Sequence, residues 1–239
     1  VAGCLASRDG RELYAAVPGI DALVGVGSRA DILAAVTGRG RCTRLAPPEG
    51  GELDDAGRFR LTPRHTAYLR IADGCAQRCS FCTIPSIRGA LRSKPLEAVL
   101  AEARELAADG AVELNVIAQD TTGYGLDLRP RAGLAPLLRE LGRLDGVRWI
   151  RLMYAYPKRF TRDLIAVLAD GGRVVPYVDL PLQHVADGVL RRMRRGVTRK
   201  GIEKLLGELR GRVRGVAIRT TFLVGFPGET DADFAELLA

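Results

Sequence analysis

The sequence predicts an α/β fold built on a parallel sheet, open or curled into a barrel. From Tyr68 onward, short apolar runs alternate with stretches of 3.6-residue apolar periodicity. Five such β/α units follow one another at spacings of roughly 30 to 45 residues, which suits parallel strands joined by crossover helices. Each strand also runs into a polar or Gly-rich segment, as expected where parallel strands carry a site at their C-terminal ends.

Residues 1–37 mix short apolar runs with helical patterns and read as the last part of an open α/β domain. Val1-Ala2-Gly3-Cys4 suggests the tail of a strand, 22–27 a buried strand, and Ser28 the cap of a helix carrying Ile32, Leu33 and Val36. Residues 38–64 are rich in Gly and Pro with no sustained period, and read as a linker. The remaining chain, 65–239, holds strands expected at 67–72, 113–118, 147–154, 174–180 and 217–224. Between them Leu96, Val99, Leu100, Ala103, Leu106 and Ala107 share one helix face, opened by Pro95 and ended by Gly110. Leu134, Leu137, Leu138 and Leu141 mark a second helix, Thr161 caps a third, and Ile202, Leu205, Leu206 and Leu209 mark a fourth. Thr230 caps a last helix, with Asp233 three positions on.

The five strand-end segments are DGCAQRC, QDTTGYG, YAYP, PLQH and GFPGE. Any one of them alone reads as a turn. Five on one rim of a parallel fold point to a shared binding site.

The composition is that of a globular protein: 239 residues, 47% hydrophobic and 27% charged. It is too apolar for disorder and contains no apolar run long enough for a membrane helix. A soluble, cytoplasmic protein is expected. The net charge of +8 is concentrated in residues 186–219, where eleven Lys and Arg face three acids. This stripe is either a solvated helix face or an electrostatic contact to RNA or another acidic partner. In the second case charge reversal at Arg191, Arg192, Arg194 and Arg195 should weaken docking.

Cys4, Cys42, Cys75, Cys79 and Cys82 are the five cysteines. Their odd number, with three packed into eight residues, suits a metal site in a reducing compartment better than a disulfide framework. Cys75-x3-Cys79-x2-Cys82 lets one tight loop wrap three thiolates around a single centre. Zinc would want a fourth ligand, for which His65 and Cys42 are candidates at no familiar spacing. Three thiolates with no obvious fourth suit a 4Fe–4S cluster with one open iron.

With Phe81 before the last Cys, this motif at the end of a first barrel strand resembles the radical S-adenosylmethionine enzymes. Ile71-Ala72-Asp73-Gly74-Cys75 and the Cys-Thr-Ile-Pro-Ser-Ile-Arg-Gly run at 82–89 extend the resemblance to the methylthiotransferases. One branch of that family modifies tRNA and another a ribosomal protein. Gln119-Asp120-Thr121 with Tyr124-Gly125, Tyr154-Ala155-Tyr156-Pro157 and Asp179-Leu180-Pro181-Leu182-Gln183-His184 resemble the ribosomal-protein aspartate branch. Met193-Arg194-Arg195-Gly196 is shared by both.

The resemblance implies a partial radical-SAM (β/α) barrel preceded by the C-terminal part of an open α/β methylthiotransferase N-terminal domain. It implies that the open iron chelates S-adenosylmethionine and that one electron generates a 5′-deoxyadenosyl radical. That radical would abstract hydrogen from the β-carbon of an aspartate in the twelfth small-subunit ribosomal protein. Such a carbon has no acidic proton, so acid–base catalysis would not serve, and the cofactor carries the difficult step. Gln119, Gln183, Gly225 and Gly228 are candidate cofactor contacts from their strand-end positions. Tyr154, Tyr156 and His184 are candidates for the substrate side or for structural roles.

The resemblance further implies two 4Fe–4S clusters, Cys4 matching the third ligand of the second. Cys42 fits no ligand position and reads as incidental. A fragment of a longer protein is expected from the abrupt ends, with at most the radical cluster held securely and little activity of its own. The partners implied are the ribosomal protein or ribosome and an electron donor. Methylthiolation of a tRNA adenosine is the nearest alternative, and a non-catalytic iron–sulfur or zinc protein the more distant one.

Overall fold

A computed structural model describes residues 1–47, 53–61 and 63–239. Residues 48–52 and 62, within the expected linker, lie outside the described residues.

The N-terminal part holds α1 (Cys4–Asp9), α2 (Glu12–Ala16), β1 (Ala22–Val24), α3 (Ile32–Thr37) and β2 (Cys42–Arg44). β1 and β2 pair in parallel around a small apolar cluster of Ala6, Leu13, Ile20 and Leu23. The Tyr14 hydroxyl fastens this layer by donating to the Cys42 carbonyl at 2.6 Å. Three expectations change here. Ala2 makes a single bridge to Val24 rather than a strand tail, because Cys4 already begins α1. The strand expected at 22–27 stops at Val24, where a 3-10 turn over 26–31 takes over. Ser28 caps no helix: its buried hydroxyl accepts the Ala46 N–H at 3.1 Å and tacks down the chain leaving β2. α3 consequently begins at Ile32 and leaves Leu33 and Val36 72% and 77% exposed.

The larger part is a five-stranded, all-parallel sheet in the order β3 (Thr66–Arg70), β6 (Glu113–Ile117), β7 (Trp149–Leu152), β8 (Val174–Asp179), β9 (Ala217–Arg219). Between β3 and β6 a short antiparallel ribbon pairs β4 (Ala72–Asp73) with β5 (Arg92–Ser93) and encloses α4 (Ile84–Arg88). The strands alternate with α5 (Leu96–Ala108), α6 (Leu134–Leu141), α7 (Arg162–Ala169) and α9 (Arg199–Arg212), which pack against one another in turn. Two more helices, α8 (Asp187–Arg192) and α10 (Asp231–Leu238), complete the chain.

The helix signals act as read. Thr161 Oγ1 accepts the Leu164 N–H at 3.1 Å, and Thr230 and Asp233 form a reciprocal capping box. On α5 the stripe Val99, Leu100, Ala103 and Leu106 is buried against the sheet. Each buried Leu or Val there contributes about 1.5–3 kcal/mol relative to exposure.

Every sheet strand ends earlier than its apolar run suggests. β7 stops at Leu152 rather than 154, because Tyr154 turns left-handed at φ 55°. β9 stops at Arg219 rather than 224, with one further bridge between Gln183 and Phe222. Of the residues released from the ladder at these ends, Tyr154 lines the site, whose remaining residues come from the segments that follow the strands.

A buried charge cluster ties residues 53–61 to the sheet and α5. Lys94, 1% exposed, donates to Asp55 at 2.9 Å and to Glu102. Arg70 makes two bonds to Asp55 at 2.8 and 2.9 Å, and Arg58 meets Glu102 at 2.6 Å. Burial pushes the Asp55 carboxyl up, but Arg70 and Lys94 outweigh it and hold the carboxyl well below the usual carboxylate range.

Candidate functional site

The cysteine loop leaves β4 at Gly74, whose φ of 72° suits glycine. A side chain at Gly74 would strike the Ala90 carbonyl, so the Gly89–Ala90 segment between α4 and β5 approaches the start of the loop directly. The Cys75 N–H donates to Gly89 O at 3.2 Å, closing the loop over α4. Its far side is held by α8: the Ser80 N–H donates to Met193 O at 3.1 Å and Ser80 Oγ to Arg192 O at 2.8 Å. Phe81 packs on the cluster of Ala186, Val189 and Met193, completing the anchorage.

One cavity collects Cys75, Cys79 and Cys82 with Gln119 and Asp120 after β6, Tyr154 to Tyr156 after β7, and Pro181 and Gln183 after β8. Four of the five strand-end segments therefore meet there. Asp120, buried, accepts from Gln77 Nε2 at 3.0 Å and from Thr122 Oγ1 at 2.6 Å, joining the cysteine loop to the second segment. Asp179, also buried, accepts the Tyr154 N–H at 3.1 Å and so secures that left-handed turn. Gln183 is left-handed as well, at φ 72°, and its carbonyl accepts from Leu223 at 2.7 Å. Together with Arg194, at φ 54°, Tyr154 and Gln183 are the non-glycine residues of positive φ among the described residues. Their concentration at one rim fits the tendency of backbone strain to gather at functional sites.

Burial pushes the Cys75 thiol up, the Gln77 N–H opposes this, and Asp120, Cys79 and Cys82 push it further. Burial likewise pushes Tyr156 up to about 12, against the pull of Arg195. The Gln119 Oε1 atom is buried with no hydrogen-bond partner among the described residues. A buried, unpartnered carbonyl oxygen on a residue that lines the same cavity as the three thiols is an acceptor short of its donor.

Among the described residues, no three His, Cys, Asp or Glu side chains are placed to hold a single metal ion. Neither His65 nor Cys42 lines the cavity. A mononuclear zinc site is therefore poorly matched. A cluster takes each thiolate on a different iron, so three thiols spread around one cavity fit it better.

Two other candidates stand just outside. His184 is fully buried behind the wall: its Nδ1 accepts the Ala186 N–H at 3.0 Å and its Nε2 lies 3.3 Å from Glu229 Oε1. The loop bearing Gly225 and Gly228 does not line the cavity, and the Gly228 carbonyl accepts from Arg192 at 2.8 Å. Cys4, at the start of α1, receives a hydrogen bond from Arg88 and does not line the cavity.

The cavity adds Gln77, Asp120 and Arg195 to the candidates that the sequence singles out. Arg195 belongs to the basic stripe in sequence, yet it is 5% exposed and lines the cavity, whereas Arg191, Arg192 and Arg194 face solvent. The left-handed turn at Arg194 swings its successor inward, and the Met-Arg-Arg-Gly run was the available signal.

Comparison with known proteins agrees with this geometry. The chain is 48% identical over 242 residues to the ribosomal protein uS12 methylthiotransferase RimO of Geotalea uraniireducens, covering 100% of this chain and 54% of that protein. It is 46% identical over 240 residues to the RimO of Moorella thermoacetica, covering 100% and 56%. The chain thus spans about half the length of the curated relatives it matches. Among solved structures it resembles the radical S-adenosylmethionine methyltransferase TsrM from Kitasatospora setae, at TM-score 0.58 and 24% identity over 73% of this chain and 34% of that one. Streptococcus suis SuiB bound to its precursor peptide gives TM-score 0.52 at 15% identity, over 73% and 36%. Both likenesses concern the fold. The sequence pattern of the Radical SAM superfamily matches residues 69–239, a span that takes in all five strand-end segments. The chain belongs to the radical SAM superfamily.

Proposed function

We propose that the protein containing this chain is a radical SAM methylthiotransferase acting on the β-carbon of an aspartate in ribosomal protein uS12. The observation that carries the reading is the convergence of Cys75, Cys79 and Cys82 with Gln119, Tyr154, Tyr156 and Gln183 on one cavity. Relatives named as uS12 methylthiotransferases that match the whole chain support the choice of substrate.

In this reading the three thiolates hold a 4Fe–4S cluster. When bound, the cluster supplies the single electron that cleaves S-adenosylmethionine and so starts hydrogen abstraction from an unactivated carbon. The chain's own residues bind, orient and exclude water. Gln119 offers its unpartnered carbonyl oxygen to the cofactor's ammonium or ribose hydroxyls, and Gln183 stands across the cavity on its strained turn. Ala155, Pro181 and Phe81 supply apolar wall. Tyr156, held protonated far above neutral pH, presents a ring face rather than a charge, and the exposed Tyr154 meets the substrate at the mouth. Gly225 and His184 support this rim through the Glu229 carboxylate, which Phe226 N–H and His184 hold below the usual carboxylate range, and Gly228 through its carbonyl's bond from Arg192.

The N-terminal residues through Leu45 are assigned to a methylthiotransferase N-terminal domain and 65–239 to the radical SAM core; the linker expected at 38–64 begins only after Leu45, because β2 pairs with β1 and Leu45 packs on the N-terminal cluster. Separate apolar clusters in the two domains support the division. Cys4 is assigned to a second cluster, and the exposed Arg191, Arg192 and Arg194 to docking on ribosomal RNA or an acidic protein surface. A one-electron donor is required, and the setting is the cytoplasm. Among the described residues no helix is long and apolar enough to cross a membrane.

Anaerobic reconstitution followed by dithionite reduction tests the reading, with 5′-deoxyadenosine measured first and methylthiolation of uS12 and of tRNA measured in parallel. Modified uS12 is the expected result. Modified tRNA alone would redirect the substrate, and no 5′-deoxyadenosine from a reduced cluster would sink the enzyme reading.

A further inference from the structure

Arg195 is a buried cation without a carboxylate. Among the described residues no Asp or Glu pairs with it, although it is 5% exposed and lines the cysteine cavity. Such a charge is costly to bury unless an anion accompanies it. The guanidinium is nonetheless fixed from several sides. Its Cζ stacks 4.3 Å from the Tyr156 ring centroid, and Nη2 donates to Pro181 O at 2.5 Å. Its own carbonyl accepts from the Tyr156 hydroxyl, and its N–H donates to Leu190 O at 3.0 Å. Held this way, Nη1 lies 3.6 Å from Cys79 Sγ, and Nε is buried with no partner among the described residues.

The cavity is where negative charge will arrive, because thiolate ligation places anionic sulfurs there and reduction adds one electron more. Hydrogen bonds and charges at ligand sulfurs are among the protein's means of setting a cluster's potential. A fixed cation favours the more negative, reduced state. We propose that Arg195 is a positioning residue that raises the reduction potential of the cluster held by Cys75, Cys79 and Cys82, acting through the Cys79 sulfur. This rests on the cluster reading above. The step concerned is uptake of one electron by the oxidised cluster from an external one-electron reductant, with no bond made or broken in the protein.

The test is an EPR-monitored redox titration of the reconstituted whole protein beside its Arg195→Gln and Arg195→Lys variants, with S-adenosylmethionine affinity measured in parallel. Arg195→Gln is expected to lower the reduced-to-oxidised ratio about tenfold at fixed potential, equivalent to about 59 mV for a one-electron couple. Arg195→Lys keeps the charge but loses the fork, and should fall between the two. A Gln variant with a full cluster and the parent's potential overturns the proposal, whatever its cofactor affinity. If the Gln variant does not hold a cluster, the Lys variant decides: a lowered potential supports the proposal and an unchanged one overturns it. A parent protein that assembles no four-iron cluster overturns the reading of the site instead.

Discussion

Arg88 bridges the two ends of the cysteine inventory: its Nη2 lies 3.3 Å from Cys4 Sγ while its Nη1 donates to Asp73 Oδ1 at 3.0 Å. Asp73 stands two residues before Cys75, so one side chain ties the N-terminal segment to the root of the cysteine loop. α1 also packs against α4, the helix that carries Arg88. Arg88→Ala should release α1 and cost about 1.5–3 kcal/mol locally, the range for hydrogen bonds to charged groups. The expected readout is faster amide exchange in residues 4–9 and faster alkylation of Cys4, with α5 unchanged. Unchanged exchange in α1 would mean that the bridge carries no load.

Each of Cys75→Ser, Cys79→Ser and Cys82→Ser should abolish iron and sulfide retention by the core, since a three-thiolate site has no spare ligand. Cys42→Ser should retain both, because Cys42 sits on β2 away from the cavity. Elemental analysis after anaerobic reconstitution and desalting separates the two groups. Full loading of any one of the three variants would remove that residue from the ligand set.

The Lys94 cluster should fail when broken and recover when replaced whole. Lys94→Met leaves Glu102 and Asp55 buried with fewer partners, and should destabilise the protein by about 3–5 kcal/mol. Adding Glu102→Leu should restore part of that loss. Urea denaturation of the single and double variants measures both, and a single variant as stable as the parent contradicts the account.

Asp55 gives the same cluster a pH dependence. Its folded carboxyl titrates below the unfolded value, so its contribution is complete above about pH 3.9. The contribution is lost as pH falls through the depressed folded value. Asp55→Asn should therefore be markedly less stable than the parent at pH 7, with the gap closing in acid below about pH 4. A gap that stays constant with pH would locate the effect in packing rather than charge.

Tyr156 is expected to titrate late. With its pKa pushed up to about 12, its contribution is complete below the unfolded value of about 10 and is lost as pH rises through the folded value. Tyr124, also pushed to about 12 by burial, behaves similarly. Ultraviolet titration should show two late tyrosines in the parent and one in Tyr156→Phe.

The parts of this molecule written in local sequence were legible. Alternating apolar periods give the five strands and their helices, Thr161 and Thr230 cap as their neighbours imply, and the Cys-x3-Cys-x2-Cys spacing marks the site. What escaped was set by partners far along the chain. Ser28 looks like a cap until Ala46 claims its hydroxyl, and the third sheet strand looks longer than it is because Tyr154 leaves the ladder in a left-handed turn held by Asp179. Arg195 reads as one more surface arginine, since only the fold brings Tyr156, Pro181 and Cys79 around it. Asp55 reads as linker, since Arg70 and Lys94 cannot be seen from its own neighbourhood.

The anchoring of Ser80 on Arg192 and Met193 has a consequence for the order of assembly. The two ends of that contact are 112 residues apart in the chain, with three sheet strands between them. Closing so long a span becomes favourable only once the intervening strands and helices have compacted. The eight residues from Cys75 to Cys82, excised as a peptide, would lack the surface that shapes them. If the three cysteines hold a cluster as proposed, a ribosome-bound nascent chain that ends before α8 should retain less iron than one that includes it, even where all three cysteines have already emerged.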